Sequence, residues 1–304
     1  MTPDPGLNQA MVESIEGLGF DALFTPDHPI IGYDAWTQLA LAAQLTKRVR
    51  LGTLVTCASY KNPVVLARQV ADVDRISGGR AILGLGSGDM PWEFAQLGIG
   101  WGTLRERQQR LADALEIIPS LLAGDTVTFS GEQLSVADAT LRSPALQQPR
   151  VPILVAGGGE KVTLRLVARH ADASNTGAAS WAGGVFTLDD ARRKYEVLRG
   201  HAEVSGRPYE DVLRTATIGF TLAPTRVGLD AKRQAAEANP QQKAIATFLE
   251  GVPNFSTPAE AIEMLAELVG AGVQYFVILA GPDLDSLELL ASEVVPQVRA
   301  RAAL

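Results

Sequence analysis

Residues 50–89 read RLGTLVTCASYKNPVVLARQVADVDRISGGRAILGLGSGD, and the fold class follows from this stretch. Val49–Thr56 is a largely apolar run, typical of a strand that is covered on both faces. Pro63–Ile76 has apolar residues at helical spacing and a proline in its first turn, which predicts a helix. A second apolar run, Ala81–Leu85, ends in glycines and predicts another strand. The stretch therefore predicts two parallel strands joined by a helix.

The same alternation continues on both sides of this unit. Before it, residues 6–19 have apolar positions at helical spacing and end at glycine, and the apolar run Ala22–Thr25 follows at once. After it, residues 104–122 predict a long amphipathic helix. The remaining predicted elements are a helix over 35–46, strands over 152–156, 173–176, 215–222 and 275–279, and helices over 161–171, 188–204, 259–270 and 284–300. Seven core strands thus alternate with helices.

Seven parallel strands fit two architectures. One is an open, doubly wound sheet, which gathers its ligand at a single switch point. The other is an eight-stranded barrel with one strand unaccounted for, in which function collects in the loops after the strands. Here the chemically unusual residues follow five successive strands, at Asp27–His28, Cys57–Tyr60, Gly86–Asp89, Gly157–Gly159 and Asn175–Thr176. We therefore expect an α/β fold of the TIM (β/α)8-barrel type with insertions, forming a single domain over residues 1–304.

Two segments stand outside the repeating pattern. Residues 124–150 are expected to be an insertion, because TVTFSGEQLSVADATL at 126–141 alternates in polarity around Ser130-Gly131 and predicts a β-hairpin. Residues 223–257 are polar and rich in Ala, Gln, Lys and Pro. They fit either a partly helical lid near the barrel mouth or a solvated connector.

Composition argues against several classes of protein. The 304 residues include 27 Lys and Arg against 34 Asp and Glu, a net charge of −7 with no dense basic run, which argues against nucleic acid as a partner. No segment has about 18 uninterrupted apolar residues, and the N-terminus lacks a secretory signal pattern. The single cysteine fits a reducing compartment, and no residue cluster has metal-ligand spacing. We expect a cytoplasmic protein that binds neither membrane nor metal.

Two glycine-rich strand ends are candidate sites. Gly157–Gly159 lies between a predicted strand and a helix that starts near Glu160, a geometry that binds phosphate, although three glycines also suit a plain tight turn. Asp89 follows the GLGSG run, where an acid is well placed to donate or accept a proton. The structural alternative is a strand end that glycine merely relieves.

His28 and Cys57 also lie at predicted strand ends. His28 follows Asp27 in the sequence TPDH, where it acts either in catalysis or as a hydrogen-bonded structural residue. Cys57 is expected to be a small buried apolar residue and not a nucleophile. The sequence therefore leaves the role of His28 open.

Three segments together resemble the luciferase-like flavin-dependent oxidoreductases, the bacterial luciferase superfamily of TIM barrels. They are GFDALFTPDH (19–28), the stretch 50–89 quoted above, and VPILVAGGGEKVTLRLVARHADASN (151–175). The resemblance covers nearly the whole chain, and the order and spacing of the three segments are more specific than any one of them. It implies a flavin or deazaflavin cofactor, a small-molecule substrate and a homodimer formed through barrel helices.

The resemblance also implies which residues bind the cofactor. The phosphate-binding glycines of the family match Gly157–Gly159. A non-prolyl cis peptide bond that supports the flavin ring falls, by position, between Leu54 and Val55. The full expected cofactor-binding set is Leu54, Val55, Gly86, Ser87, Gly157, Gly158, Gly159, Glu160 and Thr176.

Two residues point to one branch of the family. His28 and Asp89 match the His and the acid of its deazaflavin-dependent dehydrogenases and reductases, whereas many FMN-type relatives have an aromatic residue at the second position. The resemblance thus implies hydride transfer between the deazaflavin coenzyme F-420 and a small organic substrate, with His28 and Asp89 exchanging a proton with the substrate or the cofactor. Tyr60 and Trp92 either line the pocket or pack in the core. Two alternatives stay open. One is an FMN-dependent monooxygenase that uses O2 and a separate flavin reductase, and the other is a non-catalytic flavin carrier.

The chain departs from the family pattern in two places. The family's first barrel strand precedes its first helix, whereas this sequence starts directly at that helix, so the first strand is expected to be missing. An open edge there would destabilise a barrel. Sugar-phosphate dehydrogenases of the family have basic residues in the late loops, and GVPNFSTP (251–258) has none. Glucose 6-phosphate is therefore not the expected substrate.

Overall fold

The computed structural model of the protein describes residues 5–29, 32–179, 183–239, 254–279 and 283–302. The helices are α1 (Pro5–Gly17), α2 (Ala35–Leu45), α3 (Pro63–Ser77), α4 (Pro91–Gln96), α5 (Leu104–Ala123), α6 (Thr163–His170), α7 (Leu188–Ser205), α8 (Arg226–Ala238), α9 (Pro258–Gly270), α10 (Leu284–Leu289) and α11 (Val295–Ala302). The strands are β1 (Ala22–Thr25), β2 (Arg50–Thr53), β3 (Thr56–Cys57), β4 (Ala81–Gly86), β5 (Val127–Ser130), β6 (Ser135–Ala139), β7 (Ile153–Ala156), β8 (Ala173–Gly177), β9 (Leu213–Leu222), β10 (Asn254–Ser256) and β11 (Tyr275–Leu279). The predicted α/β class is confirmed.

The strands of the main sheet are ordered as they are along the chain. The order is β1-β2-β4-β7-β8-β9-β10, all pairings are parallel, β3 also pairs with β4, and β11 also pairs with β9. A doubly wound sheet reverses its strand order at a switch point. No reversal occurs among the described strands, so right-handed crossovers place their helices on one face of the sheet. This single winding is the topology of a barrel.

Strand β1 lies at one end of the described ladder, and β10 and β11, which both pair with β9, lie at the other end. No pairing joins β1 to β10 or β11 within the described ranges. Helix α1 covers this region. Its Ile15 packs both against the larger apolar cluster and against a second cluster formed by β9, α9, α10 and α11, and Leu18 and Phe20 pack against the second one. The first helix therefore connects the two parts of the core.

Helix α3 shows how local sequence fixes an element. The Asn62 side chain accepts a hydrogen bond from the Val64 N–H at 2.9 Å and starts the helix. Gly78 ends it with a φ of 72°, which glycine adopts readily. Between these caps, Leu66 and Val70 are completely buried in the larger cluster, and each contributes about 1.5–3 kcal/mol.

Two predicted elements have different bounds in the structure. The strand predicted over 49–56 is divided into β2 and β3 by a cis peptide bond between Leu54 and Val55. The helix predicted over 161–171 begins only at Thr163, because the backbone after the glycines continues as a turn.

The structure also differs from the prediction at two helices. The helix predicted over 284–300 is interrupted by a π-helical turn at Leu290–Val294. A further helix, α4, lies in the stretch 86–102 for which no element was predicted, and Pro91 occupies its first turn, where a missing N–H does no harm.

Strands β5 and β6 form a separate antiparallel pair, the hairpin that the alternation predicts. Two buried carboxylates anchor this region. Asp113 of α5 accepts hydrogen bonds from the Gln133 and Leu134 N–H groups at 2.8 and 2.9 Å. Asp74 of α3 accepts one from the Leu146 N–H at 2.7 Å. Because buried carboxylates need such partners, the two contacts fix the segment to α5 and α3.

The segment 223–257 is described in part. It contains α8 and β10, while residues 240–253 of the proposed lid lie outside the described ranges. The Lys232 ammonium lies 2.7 Å from Asp283 Oδ2, which ties α8 to the start of α10. No helix in the described part of the chain is long and apolar enough to cross a membrane.

Candidate active site

His28 lies three residues after β1, at the carboxyl end of the sheet. Its neighbour Asp27 is buried and pairs with the Lys61 ammonium, which lies 3.1 Å from Asp27 Oδ2. The same ammonium lies 3.3 Å from Asp34 Oδ2 at the start of α2. These ion pairs hold the segment after β1 against the segment after β3 and so position His28.

The His28 ring contacts a buried glutamate. Nδ1 of His28 lies 3.0 Å from Oε2 of Glu93, which sits in the first turn of α4 with no exposed surface. The Tyr60 hydroxyl donates to the same oxygen at 2.7 Å. Burial raises the pKa of Tyr60, and the hydrogen bond to Glu93 raises it further. The other glutamate oxygen, Oε1, is buried and has no hydrogen-bond partner among the described residues.

Asp89 follows β4 on a sharp turn. Gly88 makes this turn with a φ of 85°, and a Cβ there would lie 2.7 Å from Cys57 Sγ and 3.1 Å from the Phe94 ring. Asp89 is exposed to solvent, although its carboxyl lies close to neighbouring protein groups. Partial burial raises the pKa of its carboxyl, while the nearby charge of His28 opposes the rise. An acid of raised pKa beside a histidine is typical of a catalytic site.

A stack of aromatic rings lies next to the Asp89 turn. The centroids of Tyr60 and Phe94 are 5.1 Å apart, and those of Phe94 and Trp101 are 4.7 Å apart, both edge to face. The buried Arg107 guanidinium lies 3.5 Å from the Trp101 ring centroid. Trp92, in contrast, is 44% exposed, so of the two predicted pocket aromatics only Tyr60 joins this stack. Together these rings form an apolar wall beside the Asp89 turn.

The peptide bond between Leu54 and Val55 is cis, as the resemblance implies. Val55 lies against β4, because a Cβ at Gly86 would be only 2.7 Å from Val55 Cγ2. A Cβ at Gly84 would be 1.9 Å from the Thr53 carbonyl oxygen. The glycines of β4 are therefore required by the close approach of the strand before it.

Gly157–Gly159 form the turn after β7. The Gly157 N–H donates to the Asn175 carbonyl at 2.9 Å, whereas those of Gly158 and Gly159 have no acceptor within the described part of the chain. A Cβ at Gly158 would lie 2.6 Å from the Gly183 carbonyl oxygen. The turn thus packs backbone against backbone and leaves N–H groups available, an arrangement that suits an anion.

Three other predicted cofactor residues, Glu160, Thr176 and Ser87, have different surroundings. The Glu160 carboxylate lies 3.0 Å from Lys194 Nζ, and this hydrogen bond lowers the pKa of Glu160. Lys194 also donates to the Gly158 carbonyl at 2.7 Å, so Glu160 is linked to the glycine turn through α7. Thr176 is buried in β8. Ser87 is half-buried directly after β4.

Cys57 and Glu93 show what the sequence does and does not reveal. Cys57 is buried, as predicted, and burial raises the pKa of its thiol to about 12, which makes it a poor nucleophile. Glu93 was missed, because an acid in the first turn of a helix is ordinarily a solvated charge that favours the helix dipole. Its position between Trp92 and Phe94 was the one signal of burial.

Comparisons with known proteins extend over nearly the whole chain. The luciferase-like monooxygenase family profile matches residues 2–260. The F420-dependent glucose-6-phosphate dehydrogenase of Amycolatopsis mediterranei (strain U-32) is 28% identical over 315 residues, covering 94% of this chain and 92% of its own. The 4-hydroxyprotoasukamycin monooxygenase of Streptomyces nodosus subsp. asukaensis is 26% identical over 280 residues, covering 88% and 72%.

A solved structure supports the same assignment at the level of fold. The coenzyme F420 dependent tetrahydromethanopterin reductase from Methanopyrus kandleri is 19% identical and superposes with a TM-score of 0.79, covering 97% of this chain and 96% of its own. The two chains therefore share a fold, and the predicted TIM-barrel class is confirmed. Since the family profile matches more than half of the sequence, the chain belongs to the luciferase-like monooxygenase family.

Proposed function

We propose that this protein transfers hydride between the deazaflavin coenzyme F-420 and a small organic substrate that carries an alcohol or carbonyl group. The observation that carries the proposal is the meeting of His28, Glu93 and Asp89 at the carboxyl ends of β1 and β4. These residues can hold and move a proton, which hydride transfer to or from an alcohol requires. The name of the Amycolatopsis relative supports the same branch of the family.

The residues around the site fit a flat ring with an anionic tail. Thr53 and Val55 fill the space beside Gly84 and Gly86, so the cis peptide segment packs directly against β4 and can support a ring on its other side. The available N–H groups of Gly158 and Gly159 suit the phosphate of such a tail. We propose that Leu54, Val55, Gly86, Ser87, Gly157, Gly158, Gly159, Glu160 and Thr176 form the cofactor site.

A bound deazaflavin supplies a ring carbon that accepts or donates hydride. The protein's part is to orient the substrate, exclude water and manage the proton. In the oxidative direction, His28 Nε2 takes the hydroxyl proton while the carbonyl forms. Asp89, whose carboxyl pKa is raised by partial burial, can accept or return a proton at the open side of the site. Phe94 and Trp101 provide an apolar wall beside these groups.

The substrate class is narrower than the comparisons alone imply. The curated relative acts on a sugar phosphate by name, yet the described part of GVPNFSTP contains no basic side chain. Arg233 of α8 lies over the Phe255 ring at 5.1 Å and is the basic group seen next to β10 in the described ranges. We propose an uncharged alcohol as substrate, with glucose 6-phosphate as the compound to compare.

An FMN-dependent monooxygenase is the second candidate, because the Streptomyces relative has a monooxygenase name. That activity would require reduced flavin, O2 and a separate flavin reductase. A non-catalytic flavin carrier would keep the glycine turn but would not need the contact between His28 and Glu93. We further propose that the protein is a cytoplasmic homodimer with 124–150 as an insertion and 223–257 as either a lid near the barrel mouth or a solvated connector.

The experiment is a turnover screen of the purified chain with oxidised deazaflavin coenzyme, uncharged secondary alcohols and glucose 6-phosphate, under argon and under air. The proposal predicts coenzyme reduction with at least one uncharged alcohol, at equal rates in both atmospheres. Product formation that requires FMNH2 and air would support the monooxygenase. Binding of a cofactor without any turnover would support the carrier.

A further inference from the structure

We infer that Glu93 is a positioning residue that determines which ring nitrogen of His28 carries the proton, an inference that rests on the proposed function of His28. The contact joins His28 Nδ1 and Glu93 Oε2 at 3.0 Å. An ionised carboxylate only accepts hydrogen bonds, so Nδ1 donates as N–H. In the neutral ring, Nε2 is then the bare nitrogen and the one able to take a proton.

The second donor on Glu93 supports this assignment. Tyr60 reaches the same oxygen at 2.7 Å. Burial raises the pKa of Tyr60, so its hydroxyl keeps its proton and donates it to the carboxylate. Glu93 Oε2 therefore accepts the Tyr60 hydrogen bond and presents an acceptor to His28 Nδ1 as well. Glu93 is therefore an acceptor for both neighbours, and His28 is held in its Nδ1–H form.

The packing prevents the two side chains from moving apart. Glu93 has no exposed surface, and Phe94, the next residue in α4, is also completely buried. On the other side, the ion pair between Asp27 and Lys61 fixes the segment that contains His28. His28 Nε2 has no hydrogen-bond partner among the described residues, so it is available to a substrate.

The chemistry requires this arrangement. When an alcohol is oxidised, its O–H bond breaks and the proton moves to Nε2, its C–H bond breaks and hydride moves to the coenzyme, and a C=O bond forms. His28 becomes a cation, which the charge of Glu93 stabilises at 3.0 Å. In the reverse direction Nε2 returns the proton to the carbonyl oxygen. With the proton on Nε2 instead, neutral His28 could not act as the base.

The test is a nitrogen NMR spectrum of the full chain labelled with 15N-histidine, recorded at neutral pH without coenzyme. The protein has three histidines, and His28→Gln identifies the His28 signals by their loss. We expect a protonated Nδ1 and a bare Nε2 in the wild type. A protonated Nε2 in the wild type would overturn the inference, whatever the variants do.

Three variants distinguish a role of Glu93 in positioning the His28 proton from a role in stabilising the fold alone. Glu93→Leu removes the acceptor and should abolish the tautomer preference and lower kcat about 100-fold or more, with KM changed less than about threefold. Glu93→Gln keeps an acceptor oxygen and should retain the tautomer with an intermediate kcat. Tyr60→Phe leaves the contact between Glu93 and His28 intact and should also retain the Nδ1–H tautomer. A Glu93→Leu protein with unchanged tautomer and near-normal kcat would contradict the inference.

Asp113→Ala is the matched control, because Asp113, like Glu93, is a buried carboxylate. It accepts hydrogen bonds from two backbone N–H groups and does not contact His28. Asp113→Ala should lower thermal stability and leave the His28 spectrum unchanged. The spectrum also separates this inference from the proposed function. A wild type with the predicted tautomer but without hydride transfer to any alcohol refutes the proposed function alone, whereas coenzyme reduction with the opposite tautomer refutes only the role of Glu93.

Discussion

Nδ1 of His28 lies 3.0 Å from Oε2 of Glu93, although the two residues are 65 positions apart in the chain. The contact links the segment after β1 with the helix that follows β4. It places a histidine between a buried carboxylate on one side and the open site near Asp89 on the other. The candidate catalytic residues therefore form one connected group.

His28→Ala tests the proton-transfer role. The variant should bind the deazaflavin coenzyme nearly as well as the wild type, because His28 is not part of the glycine turn at Gly157–Gly159. Its turnover should fall about 100-fold to 10,000-fold, the usual contribution of a general base. Fluorescence titration and steady-state kinetics measure the two quantities. Equal losses in affinity and turnover would refute the assigned role.

Asp89→Asn should change the pH dependence of stability. Partial burial raises the pKa of Asp89 above its ordinary value of 3.8, so the folded protein holds this proton more tightly than the unfolded chain does. This tighter proton binding adds to the free energy of unfolding below pH 3.8, and the contribution is lost as the pH rises through the raised pKa of Asp89. Because Asn does not ionise, the Asn variant keeps this contribution at every pH. It should be as stable as the wild type below pH 3.8 and should unfold at a higher temperature than the wild type at neutral pH. Thermal unfolding of both proteins from acidic to neutral pH checks this prediction. A variant that is less stable than the wild type at neutral pH would contradict it.

Gly158→Ala should weaken cofactor binding. The added Cβ would lie 2.6 Å from the Gly183 carbonyl oxygen, so the turn has to shift. We expect the dissociation constant of the coenzyme to rise about tenfold or more, consistent with a cost of about 1–3 kcal/mol. Gly200→Ala is the control, because this glycine lies in α7 with no heavy atom within 4 Å of the new Cβ. It should raise stability by up to about 1 kcal/mol and leave affinity unchanged. Unchanged affinity in Gly158→Ala would remove the glycine turn from the site.

Asp74→Ala should destabilise the fold without touching the site. Asp74 has no exposed surface and accepts hydrogen bonds from the Leu146 and Gln147 N–H groups at 2.7 and 3.1 Å. Leaving these donors unpaired should lower the free energy of unfolding by about 3 kcal/mol. Asp72→Ala, which breaks an exposed ion pair two positions earlier, should cost less than about 0.5 kcal/mol. Urea unfolding measures both, and similar losses in the two variants would disprove the anchoring role.

The local pattern of apolar residues and helix caps was sufficient to predict most of the helices and strands. The apolar runs and caps around 50–89 predict β4 and α3 to within one residue, since each depends on its own spacing and ends. The break between β2 and β3 was predictable only from the family resemblance, because nothing in Leu54-Val55 distinguishes it from ordinary strand sequence. Helix α4 is short, and its six residues give too little periodicity to detect.

The site was predictable in part for the same reason. His28 and Asp89 lie directly after strands, and parallel strands bring such positions together at one end of the sheet. Glu93 acts through contacts with Tyr60 and His28 from distant segments, which a single sequence does not show. The packing of the glycine turn against Gly183 is likewise a contact between distant segments.

The most direct test of the central claim is a paired titration of the purified protein with the deazaflavin coenzyme and with FMN, followed by fluorescence quenching. The account predicts micromolar or tighter binding of the deazaflavin and much weaker binding of FMN. Gly158→Ala should weaken the first of these interactions and His28→Ala should leave it intact. A clear preference for FMN would contradict the account, because it would remove Asp89 from its role and make the monooxygenase the leading function.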